Sequence, residues 1–252
     1  MNGIDFTAFD AFTFDCYGTL IDWETGIERA LRPWLERRGA SATRDAILAA
    51  HAEAEPRRQS QTPTARYPEI LAAVHADIAA AFRVAPDPVA AAAFGASVGD
   101  WPAFPDTTAA LAELRRHVKL VVVSNIDRAS FRKTQSRLAV AFDAVVTAED
   151  AGAYKPDPRI FDHAHDIVER DLGVPRARIL HVAESLYHDH VPALARGMTT
   201  VHVDRRRGAP GGATRAPDAT VTPTLRVTTL DELAALVTAA RRPANGGHAA
   251  DD

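Results

Sequence analysis

The short apolar run Phe12-Thr13-Phe14 ends on an aspartate, Asp15, and Gly18-Thr19 follows almost at once. Such a run reads as a buried strand and the Gly-Thr pair as a sharp turn. Strand ends of open α/β sheets are where ligands bind, so Asp15 is a candidate nucleophile. A turn-capping aspartate would be built from the same residues. The segments further along the chain bear on the choice.

Val121-Val122-Val123-Ser124-Asn125 repeats the pattern of an apolar run closed by polar residues. Tyr154-Lys155-Pro156-Asp157 comes next, and then Ile179-Leu180-His181-Val182-Ala183-Glu184-Ser185-Leu186-Tyr187-His188-Asp189. The order Asp, Ser, Lys and then an acidic pair resembles the haloacid dehalogenase (HAD) superfamily over about residues 10–205. With Tyr17 where phosphatases of that superfamily place a second aspartate, the chain looks like the L-2-haloacid dehalogenase (type II) branch.

Residues 24–95 show helical rather than strand-like spacing. Ile27, Leu31, Trp34 and Leu35 mark one amphipathic helix. A second is expected over 46–55, ended by Pro56, then a polar, turn-rich stretch over 57–66 and helices over 68–83 and 87–95. From Asp106 the pattern alternates, with helices over 107–116, 129–138, 159–172 and 191–196 and strands over 119–124, 144–147, 179–182 and 200–203. Strands separated by such helices imply parallel crossovers, hence an α/β fold with a doubly wound parallel sheet. The Gly/Pro/Arg-rich segment 204–217 reads as a mobile loop, 230–240 as a final helix and 241–252 as a disordered tail. The resemblance makes this a Rossmann-like core over 1–22 and 101–240, with an all-helical cap over 23–100 seated above the active site.

Within that frame Asp15 attacks an electrophilic carbon or phosphorus and forms a covalent aspartyl intermediate. Lys155 keeps the buried carboxylate ionised, since a nearby ammonium opposes the effect of burial. Ser124 and Asn125, with backbone N–H groups, are placed to hold an anionic oxygen or to cap the next helix. Thr19 can bond the Asp15 carboxylate, and Asp189 can activate water or position Lys155. Cys16 and Tyr17 complete the candidate substrate-binding residues with Asn125. Cys16 is a small buried residue at a strand end rather than a nucleophile, for no histidine constellation supports it. An alkoxide leaves poorly without a proton, whereas halide needs none, so Tyr17 favours dehalogenation of small L-2-haloacids without metal or organic cofactor.

Other positions depart from that branch. Ala49-Ala50-His51 stands where such dehalogenases usually carry an arginine, with Arg57, Arg58 or Arg66 as substitutes, and Phe161 replaces a tyrosine. Leu186 and Glu184 replace an amide and a hydroxyl residue, and Glu184 with Asp189 looks like the acidic pair of Mg2+-dependent phosphatases. Asp15, Glu184 and Asp189 would then be hard oxygen ligands for Mg2+. A non-catalytic binding protein of the same fold is a third reading. His181, His188 and His190 cluster in sequence, but strand and helix geometry would scatter them, and no zinc is expected.

The balance of the chain excludes several classes of partner. A net charge of −4 gives no electrostatic case for nucleic acid or anionic membranes, and Arg205-Arg206-Arg207 beside Gly/Pro-rich sequence reads as a solvated loop. A single cysteine excludes an internal disulfide and fits a reducing cytosol. No N-terminal basic-then-apolar stretch is present, and no apolar run approaches the roughly 18 residues of a membrane span. A soluble, cytoplasmic protein with a small anionic substrate is expected, and a homodimer is a candidate assembly.

Overall fold

Apolar runs buried on both faces can satisfy their backbone polar groups only by pairing with neighbouring strands. In the computed structural model, which describes residues 3–242, they become β1 (Ala11–Phe14), β2 (Lys119–Ser124), β3 (Ala144–Thr147), β4 (Ile179–Ala183) and β5 (Thr199–Val203), joined by β6 (Leu225–Val227). The order is β3-β2-β1-β4-β5-β6 and every pair is parallel. From β1 the chain moves outward through β2 to β3, then returns to β4 on the opposite side of β1. This reversal opens a crevice at the carboxyl ends of β1, β2 and β4. The doubly wound sheet expected from the alternation is therefore present. β6 was not anticipated: it has three residues, and Arg226 at its centre is exposed, so no apolar run announces it.

Between β1 and β2 stand α1 (Trp23–Arg37), α2 (Arg44–Gln61), α3 (Tyr67–Ala81) and α4 (Pro88–Ala96). Asp22 caps α1 by accepting from the Thr25 N–H, and Ile27, Leu31, Trp34 and Leu35 form its buried face as expected. Thr43 caps α2 in the same way. Pro56 does not end α2, which runs on to Gln61, so the turn-rich stretch shrinks to Thr62–Arg66. Proline removes one helical hydrogen bond, and here the buried residues His51, Glu55 and Gln59 on one face hold the helix together across it.

The two chain segments that enter and leave these helices lie side by side. Ile21 bridges Ala103 antiparallel, the Asp22 N–H donates to Pro102 O (2.8 Å), and the Phe104 N–H donates to Leu20 O (3.1 Å). Trp101 packs against Gly26 of α1, where even a Cβ would fall 2.2 Å from the indole Cγ.

After this junction come α5 (Thr107–Leu114), α6 (Arg128–Leu138), α7 (Ala148–Ala151), α8 (Pro158–Leu172), α9 (Val191–Leu194) and α10 (Leu230–Arg241), which flank the sheet. A π-helical turn, Leu186–His190, precedes α9, which is shorter than the expected 191–196.

The 204–217 segment is a loop, but it is tied down rather than solvated. The Arg205 guanidinium is buried against Asp106 (2.7 Å) and the carbonyl of Thr19 (2.8 Å), with its face over Phe104. Arg206 pairs with Glu24 of α1 (2.8 Å), whose other oxygen accepts from the Ala213 N–H. Burial and these distant acidic partners override the local polarity of the arginine run. Of the tail expected over 241–252, Arg241 closes α10 and residues from 243 lie outside the described residues. No helix among the described residues is long and apolar enough to cross a membrane.

Gly26→Ala should push Trp101 off α1 and cost about 1–3 kcal/mol, the usual penalty of overpacking. Urea unfolding measures it; an unchanged midpoint would show that Trp101 does not hold the junction.

Candidate active site

β1 ends at Phe14, and the Asp15 N–H still donates to Val182 O on β4 (3.0 Å), so the strand ladder holds the backbone of Asp15. The chain then turns through Gly18 at φ 95°, a left-handed conformation that favours glycine. The turn returns Thr19 to Asp15, and the Thr19 hydroxyl donates to Asp15 Oδ2 (2.7 Å) while accepting from the Glu184 N–H (2.8 Å). Thr19 therefore ties the end of β1 to the end of β4.

Lys155 lies in a turn before α8, with a cis peptide to Pro156. Its ammonium donates to Asp15 Oδ1 (2.8 Å), Asp189 Oδ1 (2.7 Å) and Val123 O (3.0 Å), and the residue is 2% exposed. All three of its protons are thus engaged. Asn125 holds the Lys155 backbone at both ends, accepting its N–H at 2.6 Å and donating to its carbonyl at 3.1 Å. The amide expected to grip substrate is first a clamp on the lysine. Asp127, not Ser124 or Asn125, caps α6. The Ser124 hydroxyl is fully buried, has no hydrogen-bond partner among the described residues and lines the same cavity as Asp15.

The two carboxylates around the ammonium differ. Burial raises Asp189, but Lys155 and the His181 Nε2–H bond (3.0 Å) outweigh it and hold its carboxyl far below the ordinary range. Burial also raises Asp15, and here the Lys155 ammonium does not cancel the effect, so its carboxyl stays above the ordinary value. Asp189 Oδ2 is buried with no partner and lines the cavity. His181, itself bonded to Thr13 (2.9 Å) and edge-on to Phe161, is a positioning residue that sequence reading missed.

Cys16 is buried with its thiol pushed well up by burial, which suits a structural residue. The Tyr17 hydroxyl is bonded to Thr134 (2.7 Å), and its ring lies edge-on to Trp101 and beside Tyr67. Tyr17, Tyr67 and Trp23 give the cavity, of about 30 Å³, an aromatic wall. On that volume measure one water needs about 10–15 Å³, so the space is small.

α2 and α3 contribute two residues that sequence reading did not find. Glu55 and Tyr67 line the cavity with Asp15, and the Tyr67 hydroxyl donates to Glu55 Oε1 (2.7 Å). Glu55 is 3% exposed, and burial pushes its carboxyl up to about 7 against the opposing Tyr67 bond. The four-residue spacing of His51, Glu55 and Gln59 is the signal that could have flagged this polar face. The three candidate arginines do not reach the cavity: Arg57 and Arg58 pair with Asp77, and Arg66 is exposed near Glu149.

Mg2+ would need Asp15, Glu184 and Asp189 to converge. Instead both Oδ1 atoms face the Lys155 ammonium, and Glu184 accepts from the Thr214 hydroxyl (3.0 Å). Among the described residues, no group of three or more His, Cys, Asp or Glu side chains is arranged to hold a metal ion. These donors do not fit Mg2+. The three histidines also go separate ways, His190 bonding the Ala183 carbonyl and His188 bonding Ser185.

A match to the haloacid dehalogenase-like hydrolase family spans residues 9–189. The chain is 33% identical over 108 residues to the N-acylneuraminate-9-phosphatase of Rattus norvegicus, an alignment covering 42% of each chain. It is 28% identical over 109 residues to the (S)-2-haloacid dehalogenase of Pseudomonas putida, covering 42% of this chain and 46% of that one. These matches thus span less than half the length of the curated relatives. The L-2-haloacid dehalogenase of Xanthobacter autotrophicus with chloropropionic acid covalently bound superposes with a TM-score of 0.73 at 20% identity, over 91% of this chain and 98% of that one. That likeness establishes a shared fold.

Lys155→Met should strand two buried carboxylates and cost about 3–5 kcal/mol at neutral pH. The loss should shrink as pH falls and the carboxylates take up protons. Unfolding free energies from pH 5 to 8 test this; a loss independent of pH would assign the effect to packing.

Proposed function

The chain belongs to the haloacid dehalogenase-like hydrolases, and from that premise we propose that it hydrolyses small L-2-haloacids through an ester on Asp15. The observation that carries this reading is at Tyr17, whose hydroxyl is committed to Thr134 and leaves no acid two residues beyond the nucleophile. Halide departs as a stable anion and needs none. The aromatic wall suits a short haloalkanoate, and its size suits the small cavity.

In the first step Asp15 attacks the halogen-bearing carbon from the rear. A carbon–oxygen bond forms, the carbon–halogen bond breaks with its electron pair leaving on the halide, and configuration inverts. Lys155 keeps Asp15 ionised and, with three protons engaged, stays fixed through the displacement. The free Ser124 hydroxyl holds the substrate carboxylate. In the second step water attacks the Asp15 carbonyl carbon, guided by the unpartnered Asp189 Oδ2. One proton of that water passes to the departing oxygen, which leaves as the hydroxyacid, and the other is released to solvent by way of Asp189 Oδ2. The carbonyl re-forms, and Asp15, again a carboxylate, has one oxygen exchanged.

Phosphate-ester hydrolysis is the second reading, favoured by the phosphatase match and by Glu55 as an acid across the cavity. Against it weigh the donors that do not gather for Mg2+ and the charge of a phosphate monoester, to which the cavity offers no cation free of partners.

Halide release from L-2-chloropropionate should survive EDTA, fail with the D enantiomer and vanish in Asp15→Asn. Single turnover in 18O-water should place label in Asp15. Release that needs Mg2+, or none from a folded protein, would sink the reading. The profile of kcat/KM should fall on the acid side as Asp15 is protonated, with a midpoint above that of an ordinary aspartate because burial raises it. A midpoint below that value would assign the limb to another group.

A further inference from the structure

The cavity poses an electrostatic problem for the anionic substrate of the proposed reaction. Asp15 and Asp189 bring two negative charges, and Lys155 brings one positive charge whose protons all have partners. Among the described residues no arginine lines the space. His188 and, one turn before Glu55, His51 are kept neutral by burial, at about 4 and about 3, and so add no cation. Glu55 is a third carboxyl in the same space. Ionised, it would repel an incoming carboxylate; protonated, it is a hydrogen-bond donor.

We propose that Glu55 is a substrate-binding residue that takes up a proton as the substrate arrives and donates a hydrogen bond to the substrate's carboxylate. This role rests on the dehalogenase reading and adds a second donor for the substrate's carboxylate beside the Ser124 hydroxyl. Tyr67 donates to Glu55 Oε1, which fixes the carboxyl and leaves Oε2 to carry the proton. The O–H bond formed at Oε2 by a proton taken from solvent is the sole covalent change at Glu55, and that proton stays on it.

The groups facing Glu55 favour the neutral form. Asp15 after β1 and Asp189 after β4 are acidic, and Tyr67 on α3 is pushed well up by burial and by Glu55 itself. Tyr154, in the turn before α8, donates to Ala65 O and is likewise raised by burial. Lys155, beside it, is bound to both aspartates. Burial already brings Glu55 to about 7 without a substrate, and an adjacent anion raises it further. The sign follows: affinity for an anion is greatest below that value and declines as pH rises through it.

The test has two readouts. KM for L-2-chloropropionate should rise by about tenfold per pH unit above neutrality in the wild type, since one proton must accompany each substrate. In Glu55→Gln, an uncharged donor, KM should be flat over the same range. Calorimetric titration of D-lactate at pH 8, in buffers of different ionisation heat, counts protons without turnover. Close to one proton taken up per lactate by the wild type, and none by Glu55→Gln, supports the role. Halide release with a flat wild-type KM and no proton uptake overturns it while leaving the dehalogenase reading intact. A KM that falls with rising pH also overturns it, because the anion would then bind better as Glu55 loses its proton. Proton-linked lactate binding with no halide release keeps Glu55 as an anion-binding residue and sinks dehalogenation alone. Neither binding nor release overturns both.

Discussion

One ammonium group organises the centre of this molecule. The Lys155 side chain is buried between two carboxylates and a strand carbonyl. A buried charge is tolerated only when its partners replace water fully, and here each proton has an acceptor. Three structural requirements follow. β1 and the turn after β4 must bring Asp15 and Asp189 to the same point, which their places at the reversal of the strand order achieve. β2 must end so that Val123 offers its carbonyl. The turn before α8 must be held at the correct depth, and the two bonds from Asn125 to the Lys155 backbone do this.

The same arrangement separates the roles of the two carboxylates. Asp189 receives a second bond from His181, which Thr13 orients from the neighbouring strand, so its charge is fixed. Asp15 receives only the lysine and the Thr19 hydroxyl, and burial keeps it the more basic of the two. A reactive carboxylate beside a fixed one is what nucleophilic attack followed by hydrolysis requires. The partnership of Thr19 with Glu184 couples the turn after Asp15 to the end of β4.

How far these features could be read beforehand depended on the range of the interaction. The five longer strands were legible because apolar runs of buried parallel strands differ sharply from the helices between them; β6, with Arg226 at its centre, carried no such signal. Asp15, Thr19, Ser124, Lys155 and Asp189 were legible because each follows an apolar run or lies in a distinctive short motif, and the structure gathers them. Asn125 was placed correctly, but its clamp on the Lys155 backbone was not legible, since an amide's partner cannot be inferred from its neighbours in sequence. The arginines of the 204–217 segment looked solvated because Asp106 and Glu24 are distant in the chain. Glu55 was hidden by a local rule that failed. Proline was taken to end the helix at Glu55, which removed the turn carrying Gln59 and with it the row His51, Glu55, Gln59 on one buried face.

Glu55 also changes what the absence of an arginine means. A guanidinium would bind an anion at any accessible pH, but beside Asp15 it would compete with Lys155 for the nucleophile's charge. A neutral carboxyl binds more weakly and leaves that pairing untouched. It also ties binding to proton supply, because the group charges near neutrality. A monoanion whose approach brings one proton leaves the cavity's charge unchanged, whereas a phosphate dianion would need a second positive charge that the lining residues do not offer. On the proposed role of Glu55, the charge count around Asp15 adds to the case from Tyr17 for small carboxylates over phosphate esters. The two arguments meet from opposite walls of the cavity, one from the strand-end turn of the core and one from the helices above it.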